Sequence, residues 1–182
     1  TDEGVYKFFK KFDEEVDKEF LIYNIPQRTL VNANPEIVER LANEVPNFIG
    51  MKECSKFFPQ HMELINRVKD KISIFTGSDT MGPIGVLYGS AGVMVGSACL
   101  LPDVWVQMYD AAVNKDIDRI VKLQKKYLPL INLLFKEANP APIKYALGKI
   151  GIECGITSLP LLEASDSLRK EIDQELTKLG MI

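Results

Sequence analysis

Four short apolar runs, each leading into a segment of helical periodicity, constrain this chain more than any other feature. The runs occupy residues 20–24, 47–52, 72–76 and 92–96, and helical patterns fill residues 34–41, 60–68 and 81–88 between them. An opening helix over residues 1–17 places Val5, Phe8, Phe9, Phe12 and Val16 on one stripe. Strands buried on both faces read as continuous apolar runs, and strands joined through a helix must lie parallel. The predicted class is therefore α/β, built from βαβ units.

From Pro102 onward the pattern is helical throughout, over residues 102–113, 116–138, 142–150 and 165–179. Asn34 followed by Pro35, and Ser165 followed by Asp166, read as helix N-caps. Gly180 reads as a helix stop. Residues 80–102 carry no charge, long enough to raise a membrane span. Five glycines, Pro83, and Asp79 and Asp103 as flanks argue instead for a short buried helix followed by a buried strand. The first residues show neither the basic start nor the apolar stretch of a secretory leader.

Composition removes several function classes. A net charge of −3 is the wrong sign for a surface devoted to phosphate backbones. The single histidine, His61, rules out a multi-histidine metal centre within one chain, and it has no partner legible in the sequence. Cys54, Cys99 and Cys154 are odd in number and far apart, which fits a reducing compartment better than a disulfide frame.

Chemistry concentrates at the carboxyl ends of the runs. Lys52 ends the second run, and strict alternation groups it with Gly50 and Phe48, opposite Ile49 and Met51. A lysine at the end of a buried strand is costly unless paired or used. Desolvation there would favour the neutral amine that forms a Schiff base with a carbonyl compound. A lysine snorkelling outward, paired with Glu53, fits the same residues equally well. Tyr23 ends the first run and is either a proton-transfer phenol or a core tyrosine. Arg28 could grip a carboxylate or could be a solvated loop charge. The small-residue ends at residues 76–79 and 95–97 would let a ligand, or a phosphate, approach the backbone.

Taken in order, Tyr23-Asn24-Ile25-Pro26-Gln27-Arg28-Thr29, Ile49-Gly50-Met51-Lys52-Glu53, Thr76-Gly77-Ser78-Asp79, the stretch over residues 89–94 and Asn139-Pro140-Ala141-Pro142-Ile143-Lys144 resemble the dihydrodipicolinate synthase / N-acetylneuraminate lyase family. The resemblance runs over nearly the whole chain. It implies the C-terminal half of a TIM (β/α)8 barrel with four parallel strands, over residues 1–114, and a C-terminal helical domain over residues 115–182. It also implies a pyruvate-dependent class I lyase acting with a small aldehyde. Lys52 would be the Schiff-base lysine, Tyr23 the proton-relay phenol, and Gly77 and Met94 lining residues of the pyruvate pocket.

Arg28 matches the arginine that holds the second substrate's carboxylate in the synthase branch, where pyruvate condenses with L-aspartate semialdehyde in lysine biosynthesis. Leu30 departs from the glycine common after the Arg-Thr pair, and Leu162-Glu163-Ala164-Ser165 is also similar to ketodeoxysugar aldolases. A 2-keto-3-deoxy-sugar acid aldolase or an N-acetylneuraminate lyase is thus the neighbouring expectation. A phosphate-binding half-barrel and a non-catalytic fragment are the remaining ones. The covalent adduct on Lys52 would need no metal or organic cofactor. The expected setting is cytoplasmic, as a homo-oligomer (dimer or tetramer), without nucleic acid or membrane partners. Four strands instead of eight would leave edges and one apolar face open. The expectation is therefore a fragment of a longer enzyme, or a chain that completes its core with another copy.

Overall fold

A single parallel sheet in the order β1-β2-β3-β4 organises the first half of the molecule. Its strands are β1 (Phe20–Asn24), β2 (Phe48–Glu53), β3 (Ser73–Thr76) and β4 (Gly92–Val93). The computed structural model describes all residues, Thr1–Ile182, as two compact units, Thr1–Val95 and Gly96–Ile182. In the first unit α1 (Asp2–Val16) precedes β1, and α3 (Pro35–Glu44), α4 (Phe58–Val68) and α5 (Gly82–Tyr88) connect the strands. The α/β reading with parallel strands is borne out.

Local chemistry explains where the helices begin. Thr1 Oγ1 accepts the Gly4 N–H at 3.2 Å, and Asn34 Oδ1 accepts the Ile37 N–H at 3.0 Å, with Pro35 in the first turn. Pro26, just past the end of β1, opens a one-turn helix, α2 (Pro26–Thr29), that periodicity could not reveal. Leu30 closes that turn at φ 59°, a left-handed conformation that favours glycine. This supplies a physical reason for a glycine at this point of the motif. β4 is shorter than the apolar run that predicts it: its partner β3 ends at Thr76, opposite Val93, and a 3-10 turn follows from Gly96.

One face of the sheet packs against α1, α3 and α4. Val38, Leu41, Met51, Leu64 and Val68 are fully buried there with Ile22 and Ile74, and each such side chain contributes about 1.5–3 kcal/mol by leaving water. Strict alternation fails at one place. Pairing steps from Phe20↔Phe48 to Leu21↔Gly50, skipping Ile49. This bulge turns Phe48 into the core beside Met51, whereas alternation groups it with Lys52. Beyond the bulge the alternation is regular: Ile22, Asn24, Met51 and Glu53 are buried, while Leu21 and Tyr23 are exposed on the other face.

The second unit holds the 3-10 turn (Gly96–Cys99), α6 (Pro102–Val113), α7 (Ile117–Leu133), α8 (Ala141–Lys149) and α9 (Asp166–Lys178). α7 packs on α6 and α9, and α8 packs on α9. Ser165 caps α9 as expected, its Oγ accepting the Leu168 N–H at 3.3 Å. α7 carries Pro129 and ends at Leu133, earlier than the apolar pattern implies. The 114/115 division falls in the turn between α6 and α7, inside this unit. No helix is long and apolar enough to cross a membrane. The uncharged residues 80–102 are divided among α5, β4 and the 3-10 turn.

Candidate active site

Parallel pairing brings the two strand-end candidates together. Tyr23 and Lys52 are register partners on β1 and β2, so their side chains leave the same face at the same height. Lys52 Nζ lies 4.0 Å from the centroid of the Tyr23 ring. The ammonium therefore meets the π face of the phenol rather than its hydroxyl, an attraction of about 0.5–1 kcal/mol for a partly exposed pair. Lys52 is half-buried and Tyr23 is 53% exposed, so both are open to a ligand approaching the uncovered face.

The alternative pairing of Lys52 with Glu53 does not form. Glu53 points to the opposite, helix-covered face and is 2% exposed. Its carboxylate accepts from Asn24 Nδ2 at 2.8 Å, from the Ser55 N–H at 2.5 Å and from Gln60 Nε2 at 3.4 Å. Asn24 also donates to Asn32 Oδ1 at 3.0 Å and accepts the Ala33 N–H at 3.0 Å. The residues immediately after Tyr23 and Lys52 are thus tied to each other behind the sheet, which holds the two strand ends in register.

Gly77 follows β3 and closes the site on the other side. Its N–H donates to Glu53 O at 2.8 Å. A Cβ built there would lie 3.1 Å from Lys52 Cε and 1.9 Å from Cys54 Sγ, so glycine is required by crowding, not by φ. Cys54 Sγ donates to Gly77 O at 3.3 Å. Burial pushes this thiol up to about 11, an effect offset in part by the Lys52 ammonium and by Tyr23. At neutral pH Cys54 is a packed, protonated thiol.

Met94 sits just beyond β4, half-buried, with its N–H bonded to Thr76 O at 2.9 Å. Arg28 is exposed on α2, and its backbone N–H bonds Ile25 O at 2.9 Å. No hydrogen bond or ion pair joins its guanidinium to Lys52, Tyr23 or Gly77. Gln27 is the α2 residue that reaches back, donating from Nε2 to Cys54 O at 2.9 Å; nothing in the sequence distinguishes it from a loop glutamine. A cavity of about 370 Å³ opens between α1 and β1, lined by Val5, Phe8, Phe9, Ile22, Tyr23 and Val31 among others, but not by Lys52. No group of three or more His, Cys, Asp or Glu residues gathers as a metal site would require.

Residues 1–179 match the model of the dihydrodipicolinate synthetase family. The chain is 34% identical over 180 residues to the 4-hydroxy-tetrahydrodipicolinate synthase of Archaeoglobus fulgidus, an alignment that covers 99% of this chain and 62% of that protein. The enzyme of the same name from Methanocaldococcus jannaschii is also 34% identical, over 100% of this chain and 62% of its own length. Among solved structures, the chloride-inhibited dihydrodipicolinate synthase from Acinetobacter baumannii complexed with pyruvate superposes with a TM-score of 0.93 at 32% identity. That superposition covers 100% of this chain and 62% of the other. The chain thus spans about 62% of the length of the relatives it matches. With its parallel βα frame and the lysine–tyrosine pair at the strand ends, the chain belongs to the dihydrodipicolinate synthetase family.

Proposed function

We propose that this chain carries the Schiff-base half of a pyruvate-dependent class I lyase, a 4-hydroxy-tetrahydrodipicolinate synthase that condenses pyruvate with L-aspartate semialdehyde. The observation that supports it most is the half-buried Lys52 amine stacked 4.0 Å over Tyr23, against a glycine wall, in a chain 34% identical to proteins of that name. In this reading the neutral Lys52 amine attacks C2 of pyruvate to give a carbinolamine. Protonation of its hydroxyl and loss of water leave a protonated imine. Loss of a proton from C3 then gives the enamine, whose carbon bonds to the aldehyde carbon of the second substrate as that oxygen takes up a proton. The protonated imine is itself the electron sink, so the reading assigns no metal or organic cofactor.

Tyr23 serves as the acid and base that carries protons to and from the adduct, a role supported by its register position beside Lys52. Gly77 and Met94 border the pyruvate, and Arg28, exposed on α2, is free to take the semialdehyde carboxylate in a bidentate grip. Residues 1–114 form the βα portion of a barrel in this reading, and residues 115–182 a helical appendage. The uncovered sheet face and the free edge of β1 are completed in the working assembly, a homo-oligomer of the cytoplasm, by the remaining strands of the family's barrel. Effective catalysis needs that completion, because a covalent lysine gains most of its rate from a held substrate.

The test is reductive trapping. Pyruvate with borohydride should add an irreversible mass to Lys52 in the active assembly, and Lys52→Arg should abolish the label. Equal labelling of the variant would remove the mechanism.

A further inference from the structure

We propose that His61, Ser90 and Thr76 form a buried hydrogen-bonded latch that positions Gly77 and Met94 at the carboxyl end of the sheet. The role assigned to the latch in the reaction rests on Lys52 being the Schiff-base lysine. His61 comes from α4, Thr76 ends β3, and Ser90 lies in the link from α5 to β4. The three are 3%, 2% and 7% exposed. His61 Nε2 lies 2.7 Å from Ser90 Oγ and 3.1 Å from Thr76 Oγ1, and the two hydroxyls are 2.9 Å apart. A Ser–His pair at this distance has the spacing of a nucleophile and its base, but no substrate reaches it through that burial.

Thr76 is the hub. Its carbonyl accepts the Met94 N–H at 2.9 Å, and the next residue is Gly77, the wall against Lys52. Its hydroxyl is bonded to Ser90 and packed against His61 Nε2, and α5 closes over it because Gly85 has no side chain: a Cβ there would lie 1.9 Å from Thr76 Oγ1. Ser90 is itself fixed, its N–H donating to Gly85 O at 2.9 Å, and Ala91 N–H bonds Ile74 O at 2.8 Å. Burying an imidazole and two hydroxyls costs desolvation that an apolar trio of similar size would avoid. What the polar trio adds is direction. Apolar contacts tolerate sliding, whereas hydrogen bonds fix the azimuth of the strand end. We assign the neutral ring with Nε2 as the acceptor, so that Ser90 donates to Nε2 and Thr76 donates to Ser90, while the Thr76 oxygen rests against the ring nitrogen. The ring of His61 is held flat by Phe58, 5.4 Å away between centroids.

Being the sole histidine, His61 reports on the latch directly. In the 15N-labelled active assembly, its Nε2 resonance should show at pH 6 the lone-pair nitrogen of a neutral ring, shifted by the hydrogen bond it accepts. Ser90→Ala should remove that signature and speed hydrogen exchange at Met94 and Gly77 N–H at least tenfold, while exchange at Met51 is unchanged. In the same variant the pyruvate concentration that half-saturates borohydride trapping should rise about tenfold. The maximal trapping rate should fall less than threefold. Thr76→Ser, which keeps the hydroxyl, should behave as wild type, and Thr76→Val as Ser90→Ala. Unchanged exchange at Met94 and Gly77 in Ser90→Ala overturns the latch. So does an exchange increase spread evenly over the core, and so does unchanged half-saturation alongside a lost Nε2 signature. Failure of the wild-type protein to trap pyruvate at all overturns the Schiff-base reading instead, and the exchange data still decide whether the latch positions the strand end.

Discussion

Cys54 Sγ occupies the space that a side chain on Gly77 would need: a Cβ at residue 77 would lie 1.9 Å from it. The thiol and the glycine are complementary parts of one wall, and Lys52 Cε rests against the same point at 3.1 Å. Gly77→Ala should therefore destabilise by about 1–3 kcal/mol through overpacking. Removing the thiol as well, in Gly77→Ala/Cys54→Ala, should restore most of that loss, because the new methyl takes the place of the sulfur. Thermal unfolding of the two single variants and the double variant measures the coupling. Strict additivity would contradict the shared wall.

The same burial makes Cys54 chemically quiet. Its thiol is pushed up to about 11 and is 8% exposed, whereas Cys99 is exposed. Since the thiolate is the nucleophile, alkylation by iodoacetamide at pH 8 should label Cys99 at least tenfold faster than Cys54. Peptide mass mapping over a time course reads this, and comparable rates would mean that Cys54 is not packed against Gly77.

Leu30 is 91% exposed at φ 59°, so its side chain gains no packing while its backbone carries left-handed strain. Leu30→Gly should stabilise the protein by about 0.5–1 kcal/mol, the relief of strain exceeding the added freedom of the unfolded chain. The midpoint of urea unfolding provides the measurement, and a decrease in stability would contradict the strained turn.

Acid should weaken the fold through His61. Burial alone pushes its imidazole down to about 4, below the ordinary value of 6.5. Between those two values the unfolded chain binds a proton that the folded protein refuses. Stability is therefore complete above pH 6.5 and is lost as pH falls toward 4, by about 3 kcal/mol in total. Between pH 7 and pH 5 the wild-type protein should lose about 2 kcal/mol more than His61→Gln. Parallel pH profiles for the two proteins would show that His61 is accessible to protons in the native state.

Much of the scaffold was legible because its causes are local. The apolar runs at residues 20–24, 47–52 and 72–76 became β1, β2 and β3, and the caps at Asn34 and Ser165 are where short-range spacing puts them. Lys52 and Tyr23 stood out for the same reason, each being a functional group at the end of an apolar run. Three features depend on residues far apart in the chain, and only folding decided them. The bulge at Ile49 sends Phe48 into the core, because strand pairing, not alternation, sets the register. Glu53 turns to Asn24, 29 positions away, and leaves Lys52 to the Tyr23 ring. His61, partnerless in the linear text, meets Ser90 and Thr76 only where α4, β3 and the link to β4 converge. Periodicity records which face of an element is buried; it does not record which polar groups meet behind that face, since burial selects for any partner that satisfies them.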